Sequence, residues 1–125
     1  MDLIIRKDLQ QEILPGRMIQ KAVGKDAYST SVKMTMGFAT YSAETGPMAP
    51  HHHAEEIIYV IHSNGAWVRF GEKEDALDNK VDLEDGMVLH FPLLEWHVFE
   101  YSAGGSLDIV FFYGQVDRIR PEEME

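Results

Sequence analysis

Histidine and glutamate are gathered in two short stretches of this chain. The first is Gly46-Pro-Met-Ala-Pro-His51-His52-His53-Ala-Glu55-Glu56, which runs directly into Ile57-Ile-Tyr-Val-Ile61. The second is Gly86-Met-Val-Leu-His90-Phe91-Pro92-Leu-Leu-Glu95-Trp96-His97. Neutral imidazoles and a carboxylate are the ligands that hold a first-row transition ion, and both stretches adjoin strand-like apolar runs able to fix them. They read together as a metal site. The chain has no cysteine, which excludes disulfides, thiolate chemistry and cysteine–zinc sites, so any metal must sit on nitrogen and oxygen.

The elements that would position these residues are short β-like runs. Lys33 to Tyr41 alternates with the two-residue period of a strand, placing Met34, Met36, Phe38 and Thr40 on one face. Glu56 to Ile61 is a continuous apolar run, and Ser63-Asn64-Gly65 can take the positive φ of a tight hairpin turn before Ala66-Trp-Val-Arg-Phe70. Beyond a polar stretch from Gly71 to Lys80, Val81 and Leu83 alternate with acids, and Asp85-Gly86 turns the chain into Met87 to Phe91, ended by Pro92. Trp96 to Tyr101 and Leu107 to Tyr113 read as two further strands joined by Ser102-Ala-Gly-Gly-Ser106. Seven or so strands at roughly ten-residue spacing predict an antiparallel sandwich or barrel. Helix is sparse: Asp8 could cap a turn through Leu14, stopped by Pro15-Gly16.

A length of 125 residues suits one domain, and 45% hydrophobic with 26% charged residues is an ordinary globular composition. The net charge of −10 and the scattered basic residues argue against a nucleic-acid surface, which needs clustered Lys and Arg. No stretch approaches transmembrane length, so no membrane partner is expected. Met1-Asp-Leu-Ile-Ile-Arg-Lys7 lacks the apolar core of a secretory signal, and a cytoplasmic protein is expected. The acidic run Glu72 to Asp75 and the tail Pro121 to Glu125 read as a solvated loop and a frayed end.

The two histidine-bearing stretches resemble the paired motifs of the cupin superfamily, G-x5-H-x-H-x3-4-E-x6-G and G-x5-P-x-G-x2-H-x3-N. The resemblance spans about residues 34 to 113. It implies an all-β fold: a small single-domain jelly-roll barrel, or double-stranded β-helix, of antiparallel strands with little helix. On that reading residues 1–125 are one domain, with an N-terminal arm over 1–29, a barrel core over about 30–114 and an acidic tail over 115–125. It also implies one divalent transition metal ion (Mn, Fe, Ni, Co or Zn) on three histidines and one glutamate.

The second motif matches in spacing from Gly86 through Pro92 to His97, with Leu94 in place of glycine, Tyr101 in place of asparagine and Met87 in place of a common aspartate. In the first, Glu56 stands where the family's ligand glutamate stands, with Glu55 pointing the other way. The usual spacing would then select His52, whose partner two residues earlier, Pro50, cannot coordinate. The other register keeps the histidine pair as His51 and His53. Strand alternation sends these two to one face and His52 to the other, so the expected ligands are His51, His53, Glu56 and His97, with a His52-based site as the alternative.

The histidine triplet alone would be read as a polar surface loop; its pairing with Glu56 and His97 speaks for the site. His90 is expected on a sheet face or pocket wall, and His62 in the open. Met34, Met36, Phe38, Met48 and Phe99 are candidates for an apolar pocket wall, which in most barrels is only core packing. Tyr59, Tyr101, His90 and Glu95 are acid–base candidates by proximity in sequence alone, so catalytic residues stay unassigned. Arg17 and Arg69 could meet an acidic substrate, though a solvated arginine is commoner.

The resemblance implies a metal-dependent enzyme of dioxygenase, isomerase, lyase or decarboxylase type acting on a small organic acid, carbonyl compound or sugar derivative. The alternative is a non-catalytic module binding a metal or metabolite. A homodimer is expected, since open sheet edges and apolar outer faces invite a second copy, with Tyr59, Trp67 and Leu3-Ile4-Ile5 as contact candidates.

Overall fold

A computed structural model of the chain describes residues 1–52, 55–92 and 95–114. Among the described residues a 3-10 turn at Arg6–Asp8 is followed by eight strands: β1 (Glu12–Leu14), β2 (Arg17–Gly24), β3 (Ser29–Thr30), β4 (Thr35–Ser42), β5 (Glu56–Gly71), β6 (Asn79–Asp82), β7 (Val88–Phe91) and β8 (Trp96–Tyr113). They hydrogen-bond in the order β1-β2-β4-β8-β5-β6, with β3 on β2 and β7 on β5. Every pairing is antiparallel except the short β2–β3 contact.

The expected division at residues 63–65 does not occur. β5 and β8 are each continuous and pair along their whole length, from Glu56 with Tyr113 to Gly71 with Trp96. The ladder slips between Val60 and His62 and between Asn64 and Ala66, the marks of bulges that kink a strand without reversing it. Gly65 takes φ +68°, and a Cβ there would stand 2.5 Å from Ser102 Oγ. Its conformational freedom thus serves a bulge and a close backbone approach, not a hairpin turn.

These bulges divide the β5–β8 ladder into two stretches. The first half of β5 lies beside the last half of β8 and β7, and the second half beside the start of β8 and β6. Ile58, Val60 and Ile109 from the first group and Val68, Val98 and Phe99 from the second belong to one buried core. Each such apolar side chain contributes about 1.5–3 kcal/mol by leaving water.

Residues 12–29, placed in the N-terminal arm on the sequence, carry β1, β2 and the first residue of β3, and β2 pairs with β4. No helical turn runs from Asp8 to Leu14; Pro15-Gly16 instead closes the β1–β2 hairpin, opposing Leu14 to Arg17. Gly16 at φ +89° supplies the left-handed residue such a turn needs. The segment before β1 is strapped to the sheet. Arg6 donates to both Asp108 oxygens at 2.7 Å and to Gln20 Oε1 at 3.0 Å, and lies over the Phe38 ring at 4.5 Å.

The inner face of β4 is also not the expected one. Gly37, Ala39 and Tyr41 are buried, while Met36, Phe38 and Thr40 are half-buried on the other side and Met34 is exposed. The reason is steric: a Cβ at Gly37 would be 2.6 Å from Gln20 O and 2.7 Å from Phe111 Cζ, so a large residue cannot point inward here. Met34 and Met36 line an outer groove with Ile57 and Phe112, and neither shares a cavity with His51 or His97. Of the other wall candidates, Met48 and Phe99 are in the core.

Candidate metal centre

Glu56 opens β5 and has the same parity as Ile58 and Val60, so alternation turns its carboxylate inward with them. His97 is the second residue of β8 and opposes Phe70. Its imidazole lies flat on Phe91, with ring centroids 4.1 Å apart. Both side chains are buried, and Nε2 of His97 is 3.6 Å from Oε1 of Glu56, too long for a hydrogen bond.

His51 reaches the same place from outside the named strands. A β-bridge clamps it opposite His97, with His51 N–H donating to His97 O at 3.0 Å and His97 N–H to His51 O at 2.9 Å. The two rings meet edge to face at 4.7 Å. His52, one residue on, stacks instead on Trp96 at 4.0 Å. His53 lies outside the described residues.

The ring nitrogens are sorted by backbone carbonyls. Nδ1 of His97 faces Glu95 O at 3.2 Å and Nδ1 of His51 faces Ala49 O at 3.3 Å. A carbonyl only accepts, so in these bonds Nδ1 is the donor and a neutral ring keeps its lone pair on Nε2. This is how outer partners orient metal-binding imidazoles.

His51, Glu56 and His97 line one cavity of about 20 Å³, room for a water-sized particle. Arg17, Tyr41 and Tyr113 share its wall with apolar side chains including Ile19, Ile58, Phe99 and Ile109. Among the described residues no group of three or more His, Cys, Asp or Glu is arranged to hold a metal ion by itself. The donor chemistry nonetheless fits one. Two lone-pair nitrogens converge with a buried carboxylate whose desolvation costs several kcal/mol unless positive charge offsets it.

The acid–base candidates chosen by proximity lie elsewhere. Tyr59 is exposed, Tyr101 donates to Gly46 O at 3.2 Å, and His90 pairs at 2.5 Å with the exposed Glu55. Glu95 is not among the cavity-lining residues; burial and the charge of Glu72 push its carboxyl above the usual range. His62 is exposed and paired with Asp85 at 3.1 Å. Arg69 grips Glu100 with two bonds of 2.8 and 2.9 Å. The cavity residues missed on the sequence, Tyr41 and Tyr113, share parity with their buried neighbours Ala39 and Phe111.

No protein-family model matches this sequence, and no curated protein does. Solved structures match its fold. The polyketide cyclase RemF from Streptomyces resistomycificus is 20% identical, with a TM-score of 0.73 over 97% of this chain and 82% of that one. Oxalate decarboxylase from Lactobacillus farciminis, in its formate complex, is 14% identical, with a TM-score of 0.67 over 87% of this chain and 32% of that one. Fe(II) HppE is 11% identical, with a TM-score of 0.65 over 90% of this chain and 59% of that one. The molecule is therefore an antiparallel jelly-roll barrel. That barrel is the cupin fold. Among the described residues no helix is long and apolar enough to cross a membrane.

Proposed function

We propose that this protein is a mononuclear metal-dependent enzyme of dioxygenase, isomerase, lyase or decarboxylase type. Its substrate is a small organic acid, carbonyl compound or sugar derivative, and one divalent transition ion is held by His51, His53, Glu56 and His97. The observation that supports this most is the convergence of two carbonyl-oriented imidazoles and a buried glutamate on one cavity. Fold neighbours that include a decarboxylase and an Fe(II) protein are in keeping with it.

When bound, the ion supplies Lewis acidity, an acidified water or, as iron, a site for dioxygen. The chain's own residues supply the rest. Glu56 lowers the net positive charge of the centre, and the Ala49 and Glu95 carbonyls keep the imidazoles in register. Tyr41 and Tyr113 bring phenol hydroxyls to the wall, able to hold or pass a proton. The apolar remainder excludes water and strengthens electrostatic contacts inside.

The small cavity favours a second reading, a module that binds metal and a small ligand without turnover. Elemental analysis of untagged protein, followed by a panel of small organic acids, carbonyl compounds and sugar derivatives, separates the two. One ion per chain with turnover supports the enzyme. One ion per chain with binding and no turnover supports the module, and a metal-free protein with intact fold overturns both.

The homodimer belongs to the same proposal. Met36, Phe112, Ile57 and His90 lie side by side across β4, β8, β5 and β7, and Phe38, Val110, Tyr59 and Val88 form the next row. Ile57, Tyr59, Val88 and Phe112 of these rows are exposed, a continuous apolar face of the kind a second copy covers. Leu3 and Ile5 are also exposed. Trp67 is half-buried, donating to Glu100 at 2.9 Å with Lys80 over its ring at 4.5 Å.

A further inference from the structure

We infer that Arg17 is an anion-binding residue of the cavity and that its ligand is the carboxylate of a small organic acid. The inference rests on reading the cavity as the substrate pocket, and narrows the substrate to an anion. Three arginines lie among the described residues. Arg6 is committed to Asp108 and Arg69 to Glu100, each through two hydrogen bonds. Among the described residues Arg17 makes no side-chain hydrogen bond or ion pair, and it lines the same cavity as His51, Glu56 and His97.

Its placement is built by the local fold. The Pro15-Gly16 turn delivers Arg17 as the first residue of β2, and Gly16 N–H donates to Thr45 O at 2.9 Å, tying the turn to the segment that leads to His51. A Cβ at Gly16 would be 2.8 Å from Met48 Cα, so this approach is as close as a glycine permits. Half of the wall it shares is apolar, with Ile19, Ala39, Ile58, Phe99, Ile109 and Phe111 beside the polar residues. In such a medium a planar fork of N–H donors binds a carboxylate bidentately and more strongly than in water. The cavity has room for a water-sized particle, so an acid bound at Arg17 enters it with one carboxylate oxygen and keeps its remainder outside.

The test is calorimetric titration of metal-loaded protein with formate, acetate, glycolate and oxalate, and with glycolamide as the uncharged counterpart of glycolate. Metal content is measured on each sample. The wild type is expected to bind at least one of the four acids, with glycolamide weaker than glycolate by about tenfold or more. Arg17→Gln is expected to lose about tenfold or more of the acid affinity, with metal content and glycolamide affinity unchanged, and Arg17→Lys to recover part of it.

The inference is overturned if the wild type binds none of the acids, or if Arg17→Gln, folded by circular dichroism, binds them as the wild type does. It is equally overturned if Arg17→Gln changes only metal affinity, since Arg17 would then be a counter-charge to Glu56. Failure of the metal reading has a different signature: Arg17-dependent acid binding by a protein that takes up no metal.

Discussion

His97 and Glu56 face each other inside the barrel with Nε2 and Oε1 3.6 Å apart, their side chains 1% and 5% exposed. One comes from the start of β8 and the other from the start of β5, so the pair forms only when both stretches of the ladder are closed. Loss of an outer partner of a metal ligand costs about 10–100-fold in affinity, and loss of a ligand itself costs at least that. His97→Ala is therefore expected to purify with little metal, and Glu56→Gln to bind it at least tenfold more weakly, about 1.4 kcal/mol. Elemental analysis and competition with a chromophoric chelator measure both; wild-type loading of His97→Ala would sink the assignment.

Metal removal is expected to lower thermal stability, because an ion bound only by the folded chain stabilises it by mass action. At free metal about 100-fold above its Kd the contribution is about 2.7 kcal/mol, a shift of several degrees in Tm. Melting with and without chelator checks this, and readdition should restore the transition.

The apolar rows on the outer sheet face make oligomeric state a mutable property. Introducing charge with Ile57→Glu and Tyr59→Lys is expected to give a monomer by light scattering while leaving metal content intact, since neither side chain faces the cavity. A wild type that is already monomeric would refute the dimer.

Asp108 ties the N-terminal segment down, and its titration gives acid sensitivity. Burial pushes its carboxyl up, but hydrogen bonds from Arg6 and from Thr40 at 2.8 Å, with the Arg6 charge, outweigh this and hold it below the usual carboxylate range. A lowered folded-state pKa stabilises above the unfolded value of about 3.9 and is lost as pH falls through the folded value. Arg6→Ala is expected to cost about 1–2 kcal/mol at neutral pH. The gap between wild type and Asp108→Asn should narrow below about pH 4. Urea unfolding at neutral and acid pH measures both.

Gly37→Ala is expected to destabilise by about 1–3 kcal/mol, because its Cβ must displace both the Gln20 carbonyl and the Phe111 ring, which lines the cavity. Chemical unfolding gives the cost.

Much of the barrel was legible because its strands obey a two-residue period. Glu56, Ile58 and Val60 alternate cleanly, and Asp85-Gly86 forms the expected turn, with Gly86 at φ +91°. Period alone does not say which face is inside. The row Met34, Met36 and Phe38 is the more apolar, yet Gly37 and Ala39 face the core, and at Gly37 Phe111 occupies the volume a larger side chain would need. A glycine with positive φ suits a turn and a bulge equally, so the unbroken course of β5 was hidden at Gly65. Pro15-Gly16 likewise ends a helix or closes a hairpin. In the site, His51 and His52 separate to the cavity and to Trp96, and Glu56 and His97 meet. Nothing local distinguishes Arg17, which faces the cavity, from Arg69, which pairs with Glu100, because that choice is made by tertiary neighbours.

The bulges near Gly65 set more than a strand's path. Laid out straight, the fourteen steps from Glu56 to the Phe70 position opposite His97 would span roughly 46 Å at about 3.3 Å each. In the folded chain Glu56 and His97 almost touch. The two stretches of the β5–β8 ladder are jaws whose pivot lies far from their grip. An insertion of one residue at the pivot turns Glu56 or His97 to the opposite face without altering either ligand. Metal affinity is thereby a gauge of the pivot, and ligand geometry can drift between related sequences through changes at residues that never approach the ion.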